Sequence, residues 1–164
     1  MNKYLLCLCL VVLPAIASAQ TNGLVPSLTL SLGEGYVVSL KDGNPSPGSV
    51  NTRFVLLAGW GIGKGFGVSV GGGICTPNDM FKPAPRAVVA ASYALSAETS
   101  LVVFGVYQFN PGYNPATPSH TLLAALGLTH RISGRVSLGL DLGGGKTIGG
   151  APSLLIQPRI GFMF

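Results

Sequence analysis

The stretch RVSLGLDLG, residues 135–143, alternates large apolar side chains with small or polar ones along its whole length. Successive side chains of a β-strand point to opposite faces of a sheet. One face would carry Val136, Leu138, Leu140 and Leu142. The other would carry Ser137, Gly139, Asp141 and Gly143. Because the small and polar face suits a narrow interior, the stretch predicts a membrane strand with its leucines facing lipid.

The same alternation recurs along the rest of the chain and divides it into eight segments. They are residues 27–40, 50–62, 66–74, 86–95, 99–110, 120–132, 135–143 and 154–164. The fifth segment is apolar on both faces, so periodicity does not orient it. In the first segment, Glu34 falls on the apolar face unless a β-bulge near Gly33 or Gly35 shifts the register.

The connectors between these segments alternate in length. The long ones are residues 41–49, 75–85, 111–118 and 144–152, and the short ones are 63–65, 96–98 and 133–134. Short turns on the periplasmic side and longer loops outside are typical of outer-membrane barrels. The sequence therefore predicts an all-β fold, an eight-stranded antiparallel up-and-down transmembrane β-barrel.

The composition agrees with this fold. Only 9% of the 164 residues are charged, against about 25% in soluble domains, and 24 are glycine. The formal net charge is +5, without a basic cluster that interleaves aromatic residues, so nucleic acid is not indicated. Lys41, Lys82, Arg86 and Lys146 fall in the long connectors or at their edges, and we interpret them as solvated loop charges, with contact to anionic lipid phosphates as the alternative. A soluble secreted β-protein is the alternative fold.

The amino-terminal residues 1–19 have the features of a secretory signal peptide. Lys3 is followed by an apolar run to Ile16 and by the small residues Ala17-Ser18-Ala19. Cys7 and Cys9 would leave with this peptide, so Cys75, in a predicted connector, would be the lone cysteine. The sequence predicts a single barrel domain over residues 20–164.

Aromatic residues fall toward the ends of the segments, as the interfacial girdles of membrane barrels do. The predicted girdle consists of Tyr36, Phe54, Trp60, Phe66, Tyr93, Tyr107 and Phe109. With the amino end periplasmic, Trp60, Phe66 and Tyr93 would lie at the periplasmic rim and the others toward the outer rim.

The segments, the signal peptide and the terminal aromatic resemble the small outer-membrane barrels, which include the outer-membrane protein X and Ail-like proteins and the outer-membrane protein A membrane domain. The resemblance implies a monomer in the outer membrane of a Gram-negative-type bacterium, in contact with lipid and lipopolysaccharide. It also implies that the barrel-assembly machinery recognises the last strand, through Ile160, Phe162 and Phe164. Arg159 replaces a glycine often found at that place in the family.

Five polar residues are predicted to face the lumen: Arg53, Arg131, Asp141, Gln157 and Arg159. A buried arginine needs a carboxylate or several acceptors, because an unpaired buried charge is costly. Eight strands leave an interior that side chains can fill. We therefore expect a plug of salt bridges, with a gate for a narrow pore as the alternative.

The sequence shows no catalytic, cofactor or metal site. Lipid A-modifying barrels are similar in size, and His120 beside Ser119 is the centre that such an enzyme would use. Adjacent strand residues point to opposite faces, so these two do not form a nucleophile–base pair. We expect no enzymatic activity and a structural or surface-interaction role, in envelope integrity and in contacts of the loops with lipopolysaccharide or an external partner.

Overall fold

The computed structural model describes residues 27–41, 44–45, 49–77, 83–111 and 119–164. The predicted signal peptide, residues 1–19, and parts of three predicted long connectors lie outside the described residues. Within the described ranges, no helix is long and apolar enough to cross a membrane.

Eight long strands form one closed sheet. They are β1 (Ser27–Lys41), β2 (Ser49–Gly63), β3 (Phe66–Pro77), β4 (Ala84–Ala94), β5 (Thr99–Asn110), β6 (Ser119–Arg131), β7 (Val136–Thr147) and β8 (Pro152–Met163). The two residues Asn44–Pro45 fold back on the end of β1. Each strand pairs antiparallel with the next, and β8 pairs with β1. The predicted eight-stranded antiparallel up-and-down barrel is confirmed.

Glu34 keeps its discordant position on the outer face, beside an interruption in the seam between β1 and β8. The β1–β2 register runs without a shift from Ser27–Gly59 to Val37–Ser49, so no bulge moves Glu34, which stays exposed on the outer face. Ladder pairs between β1 and β8 are interrupted between Gly33 and Tyr36. The unchanged register on both sides sets Pro158 opposite Glu34, and proline has no N–H to donate.

The short connectors match the sequence prediction, but two predicted long connectors are longer than the observed ones. Residues 75–77 and 84–85 of the predicted connector 75–85 belong to β3 and β4. Lys64 and Gly65 join β2 to β3 with φ of 52° and 80°, the left-handed pair that a two-residue hairpin requires. Residues 144–147 continue β7, so that only 148–151 separate it from β8. The reason is close packing on β6: a Cβ on Gly145 would lie 2.5 Å from the Leu122 carbonyl oxygen.

The two faces of the wall differ as the alternation predicts. Leu138, Leu140 and Leu142 are 47%, 49% and 53% exposed, whereas Asp141 between them has no exposed surface. On β5, which periodicity did not orient, Val103 and Tyr107 face outward and Val106 and Gln108 are buried. The outer wall is thus an apolar band of the kind that faces lipid.

The interior is more apolar than the glycine-rich inner faces suggested. Val55, Val88 and Val106 form a buried cluster, against which Leu57, Phe104 and Leu123 pack. These residues come from β2, β4, β5 and β6, so the cluster fills one side of the lumen. Polar side chains occupy the space beside it.

Candidate functional site: the polar network inside the barrel

The interior network is centred on Asp141, whose side chain is fully buried. Its Oδ2 accepts a hydrogen bond of 2.7 Å from Nη2 of Arg53. Nε of Arg159 donates to both carboxylate oxygens, at 3.0 and 3.1 Å. The arginine side chains are only 12% and 9% exposed, so one carboxylate holds two largely dehydrated cations.

This arrangement follows from strand parity and from glycine. Asp141 on β7 and Arg159 on β8 are neighbours in the sheet, but Arg53 lies on β2, so its ion pair spans the lumen. Gly127, opposite Asp141 on β6, leaves the space that the carboxylate occupies: a Cβ there would lie 2.1 Å from Oδ1 of Asp141. The network therefore ties opposite walls of the barrel together.

Arg159 makes two further contacts that orient its guanidinium. Its Nη2 donates to Oγ1 of Thr129 at 2.5 Å. Its Cζ lies 5.1 Å from the centroid of the Phe104 ring, within cation–π range. These contacts hold the Arg159 guanidinium group in one orientation. They pair no nucleophile with a base.

A second polar chain begins at Arg86 and runs toward the end of the barrel with the long connectors. Nε of Arg86 donates to Oε1 of Gln108 at 2.5 Å. Nε2 of Gln108 donates to Oδ1 of Asn110. Nδ2 of Asn110 donates to Oγ1 of Thr121 at 3.0 Å, and that oxygen lies 2.8 Å from Oγ1 of Thr147. Beyond Arg86, this end of the interior is therefore occupied by uncharged polar groups.

The structure brings together Arg53, Asp141 and Arg159 from the predicted set, with Gln157 beside them. Gln157 is 1% exposed and lies opposite Asp141 in the β7–β8 ladder. Its Nε2 is buried and has no hydrogen-bond partner among the described residues. The placement of Arg131 in this network is wrong. Arg131 ends β6 and is exposed, because it lies beyond the level at which the wall covers its inner face.

Sequence reasoning missed Arg86, Gln108 and Cys75. Arg86, the first residue of the predicted fourth segment, lies in β4 with its side chain in the interior and is not a solvated charge. The available signal was its position two residues before Val88, which is buried on the same face of the strand. Cys75 belongs to β3, has no exposed surface and lies beside Arg86. Lys146 also lies in a strand, but it is exposed, and Lys82 lies outside the described residues.

The predicted girdle residues lie on the outer wall. Tyr36, Phe54, Phe66, Tyr93 and Tyr107 are exposed, and Trp60 and Phe109 are half-buried. At the end with the short connectors, the Phe66 and Tyr93 rings lie 4.7 Å apart. At the other end, Tyr107 and Phe109 both contact His120.

These contacts change the interpretation of His120. Its Nδ1 lies 2.6 Å from the Tyr107 hydroxyl, and its ring stacks on Tyr107 at 5.8 Å between centroids. Ser119 points to the opposite face, as the strand alternation requires. His120 is therefore part of an aromatic group on the outer wall.

The predicted assembly residues form the outer face of β8. Ile160 and Phe164 are 42% and 76% exposed, and Phe162 is half-buried. The Phe164 N–H donates to the Leu28 carbonyl at 2.9 Å, which extends the seam to the last residue. Within the described part of the chain, no cluster of three or more His, Cys, Asp or Glu side chains forms a metal site.

Solved structures with this fold include small outer-membrane barrels. Neisserial surface protein A has a TM-score of 0.54 and 10% identity, over 84% of this chain and 97% of that one. The N-terminal β-barrel domain of Pseudomonas aeruginosa OprF has a TM-score of 0.55 and 10% identity, over 84% and 97%. Ail, the attachment invasion locus protein of Yersinia pestis, has a TM-score of 0.50 and 11% identity, over 85% and 99%.

No protein-family model and no curated protein matches the sequence. At identities of 10–11%, the likeness to solved structures concerns the fold. The chain therefore has the fold of the small eight-stranded outer-membrane β-barrels, the group that its sequence resembles.

Proposed function

We propose that this chain is an outer-membrane protein of structural or surface-interaction type, exported by a cleaved signal peptide and monomeric in the membrane. The observation that carries the proposal is the combination of an apolar outer wall with a filled interior. The leucines exposed on β6 and β7 favour lipid over water as the surroundings of the outer wall. They argue against the soluble secreted alternative.

The filled interior supports a structural role over a pore. The Arg53–Asp141 pair crosses the lumen, and the Val55–Val88–Val106 cluster packs beside it. Conductance of the purified protein in planar bilayers tests the pore alternative, and reproducible single-channel steps would favour it.

Contact with lipopolysaccharide is the finer part of the proposal. Tyr107, Phe109 and His120 form an aromatic group at the long-connector end, and exposed Lys146 projects from β7 on the same outer wall. A cation beside aromatic rings suits the phosphate and acyl boundary of an anionic leaflet.

The charge-reversal variant Lys146→Glu tests this contact, with Lys64→Glu at the opposite end as the matched control. We expect K146E to reduce the stabilisation of the folded protein by added lipopolysaccharide and K64E to preserve it. Equal stabilisation of both variants would contradict the contact.

We propose no enzymatic activity, because His120 lies on the outer wall whereas the adjacent Ser119 points to the opposite face, so that the two form no nucleophile–base pair. Lipid A mass spectra from cells that express the protein, the His120→Ala variant or neither should be the same. A modified lipid A species that requires His120 would establish the enzyme alternative.

The location itself is tested by a heat-shift gel on fractionated cells. Closed barrels resist SDS until boiled, so we expect recovery in the outer membrane and a change of mobility on boiling. Recovery in the soluble periplasm, without a shift, would contradict the proposed location.

A further inference from the structure

The interior of the barrel carries more positive than negative charge. Arg53, Arg86 and Arg159 project into it, and of the described acidic residues only Asp141 does. The other two, Glu34 and Glu98, are exposed. Asp141 pairs with Arg53 and Arg159, while the described partners of Arg86 are the neutral side chains of Gln108 and Cys75.

All three arginines border one small cavity. It has a volume of about 20 Å³, and Ser31 lines it together with them. Its remaining wall is the apolar cluster, including Val55, Val88 and Phe104. A polar cavity above about 10–15 Å³ can hold a single water-sized particle.

Charge and size together select the occupant. Guanidinium groups removed from water need anionic or multiple neutral acceptors, and this group of three has one carboxylate. Phosphate, sulfate and organic acids exceed a space of about 20 Å³. We propose that the barrel interior binds a small monovalent anion of the chloride class between Arg53, Arg86 and Arg159.

The bound anion would lower the net charge of the three arginines and Asp141 from +2 to +1. N–H groups of the arginines and the Ser31 hydroxyl are the donors available to it, and the valines exclude water from the other side. The site is internal, so the anion is a structural component of the folded barrel.

Equilibrium unfolding in urea, with the protein refolded in lipid vesicles, tests the site. The comparison is sodium chloride against sodium gluconate at equal ionic strength, because gluconate is too large for the cavity. At a chloride concentration ten times the dissociation constant, the folded-to-unfolded ratio should rise about elevenfold. Equal stability of the unmodified protein in the two salts would overturn the proposal.

The variant Arg86→Gln should lose the chloride response. Of the three arginines, Arg86 is the one whose described partners include no carboxylate. Arg135→Gln is the matched control, because Arg135 is exposed in the connector between β6 and β7. R135Q should keep the response. A response that persists in R86Q would assign it to general salt effects and overturn the site.

A second measurement needs no variant and so does not depend on the folding of R86Q. Crystals of the unmodified protein grown in bromide should show an anomalous peak in the cavity, within contact of the Arg86 and Arg53 guanidinium groups. A water molecule there, without anomalous signal, would overturn the proposal.

Discussion

Replacement of Asp141 by Asn removes the charge that holds the interior network together. The amide keeps the shape of the side chain and one acceptor oxygen, but two guanidinium groups that are 12% and 9% exposed lose their counter-ion. Two unit charges 4 Å apart attract by about 4 kcal/mol at an effective dielectric constant of 20. Measured losses on removing one partner of a buried ion pair are about 3–5 kcal/mol. We expect D141N to lower the free energy of unfolding by that amount.

Urea unfolding in lipid vesicles measures this change directly. Trp60, the single tryptophan, lies half-buried on the outer wall and reports the transition by fluorescence. A gel without boiling gives the folded fraction independently. Glu98→Gln is the control, because Glu98 is exposed in a connector and its substitution should change stability by less than about 0.5 kcal/mol.

The double variant D141N/R159Q separates the ion pair from general damage. If the cost of D141N comes from stranded cations, removal of Arg159 should recover part of it, with a coupling of about 0.5–3 kcal/mol. A loss below about 1 kcal/mol for D141N, or strictly additive losses in the double variant, would refute the argument that the network supports the fold.

Three other substitutions or reactions test the placement of single residues. Gly143→Ala should destabilise the barrel by about 1–3 kcal/mol in the urea assay, since its Cβ would lie 2.3 Å from the Ala124 carbonyl oxygen. Gly61→Ala is the control, because a Cβ at Gly61 would have no atom within 4 Å, and equal losses of stability in the two variants would contradict the close packing at Gly143. Glu34→Leu should stabilise the barrel by about 1 kcal/mol, because it removes a carboxylate from the lipid face; a loss of stability would indicate a partner for Glu34. Cys75 should resist a maleimide in the folded protein and react after unfolding, and rapid labelling of the folded barrel would contradict its burial.

The strands were predictable because the membrane and the interior impose opposite requirements on alternate residues. On β7, Leu140 and Leu142 are exposed on either side of buried Asp141, and this contrast is visible in the sequence without any knowledge of neighbouring strands. On β5, both faces are apolar, so the sequence did not distinguish buried Gln108 from its surroundings. The local period fixes a strand only where the two environments select different side chains.

The interior network was predictable in part, for a related reason. Asp141 and Arg159 are neighbours on consecutive strands, and parity alone brings them together. Arg86 was interpreted as a solvated charge because it begins the predicted fourth segment directly after Pro85, the last residue of a predicted connector, whereas the structure includes Pro85 in β4. The exposure of Arg131 depends on where the wall ends, which is set by the stagger of adjacent strands and not by the local sequence.

The energetics of the network also bear on the pore alternative. An opening along the lumen would have to separate Arg53 from Asp141 and expose the apolar cluster beside them. If the separation alone costs about 3 kcal/mol, the open form is populated in about one molecule in a hundred or fewer, since each 1.4 kcal/mol is a factor of ten.

A pore that used this pair as its gate would open more often in D141N, so that its conductance would rise as the pair is lost. A structural plug gives the opposite result, because D141N then lowers stability and produces no channel steps. The same variant thus distinguishes a gate from a plug.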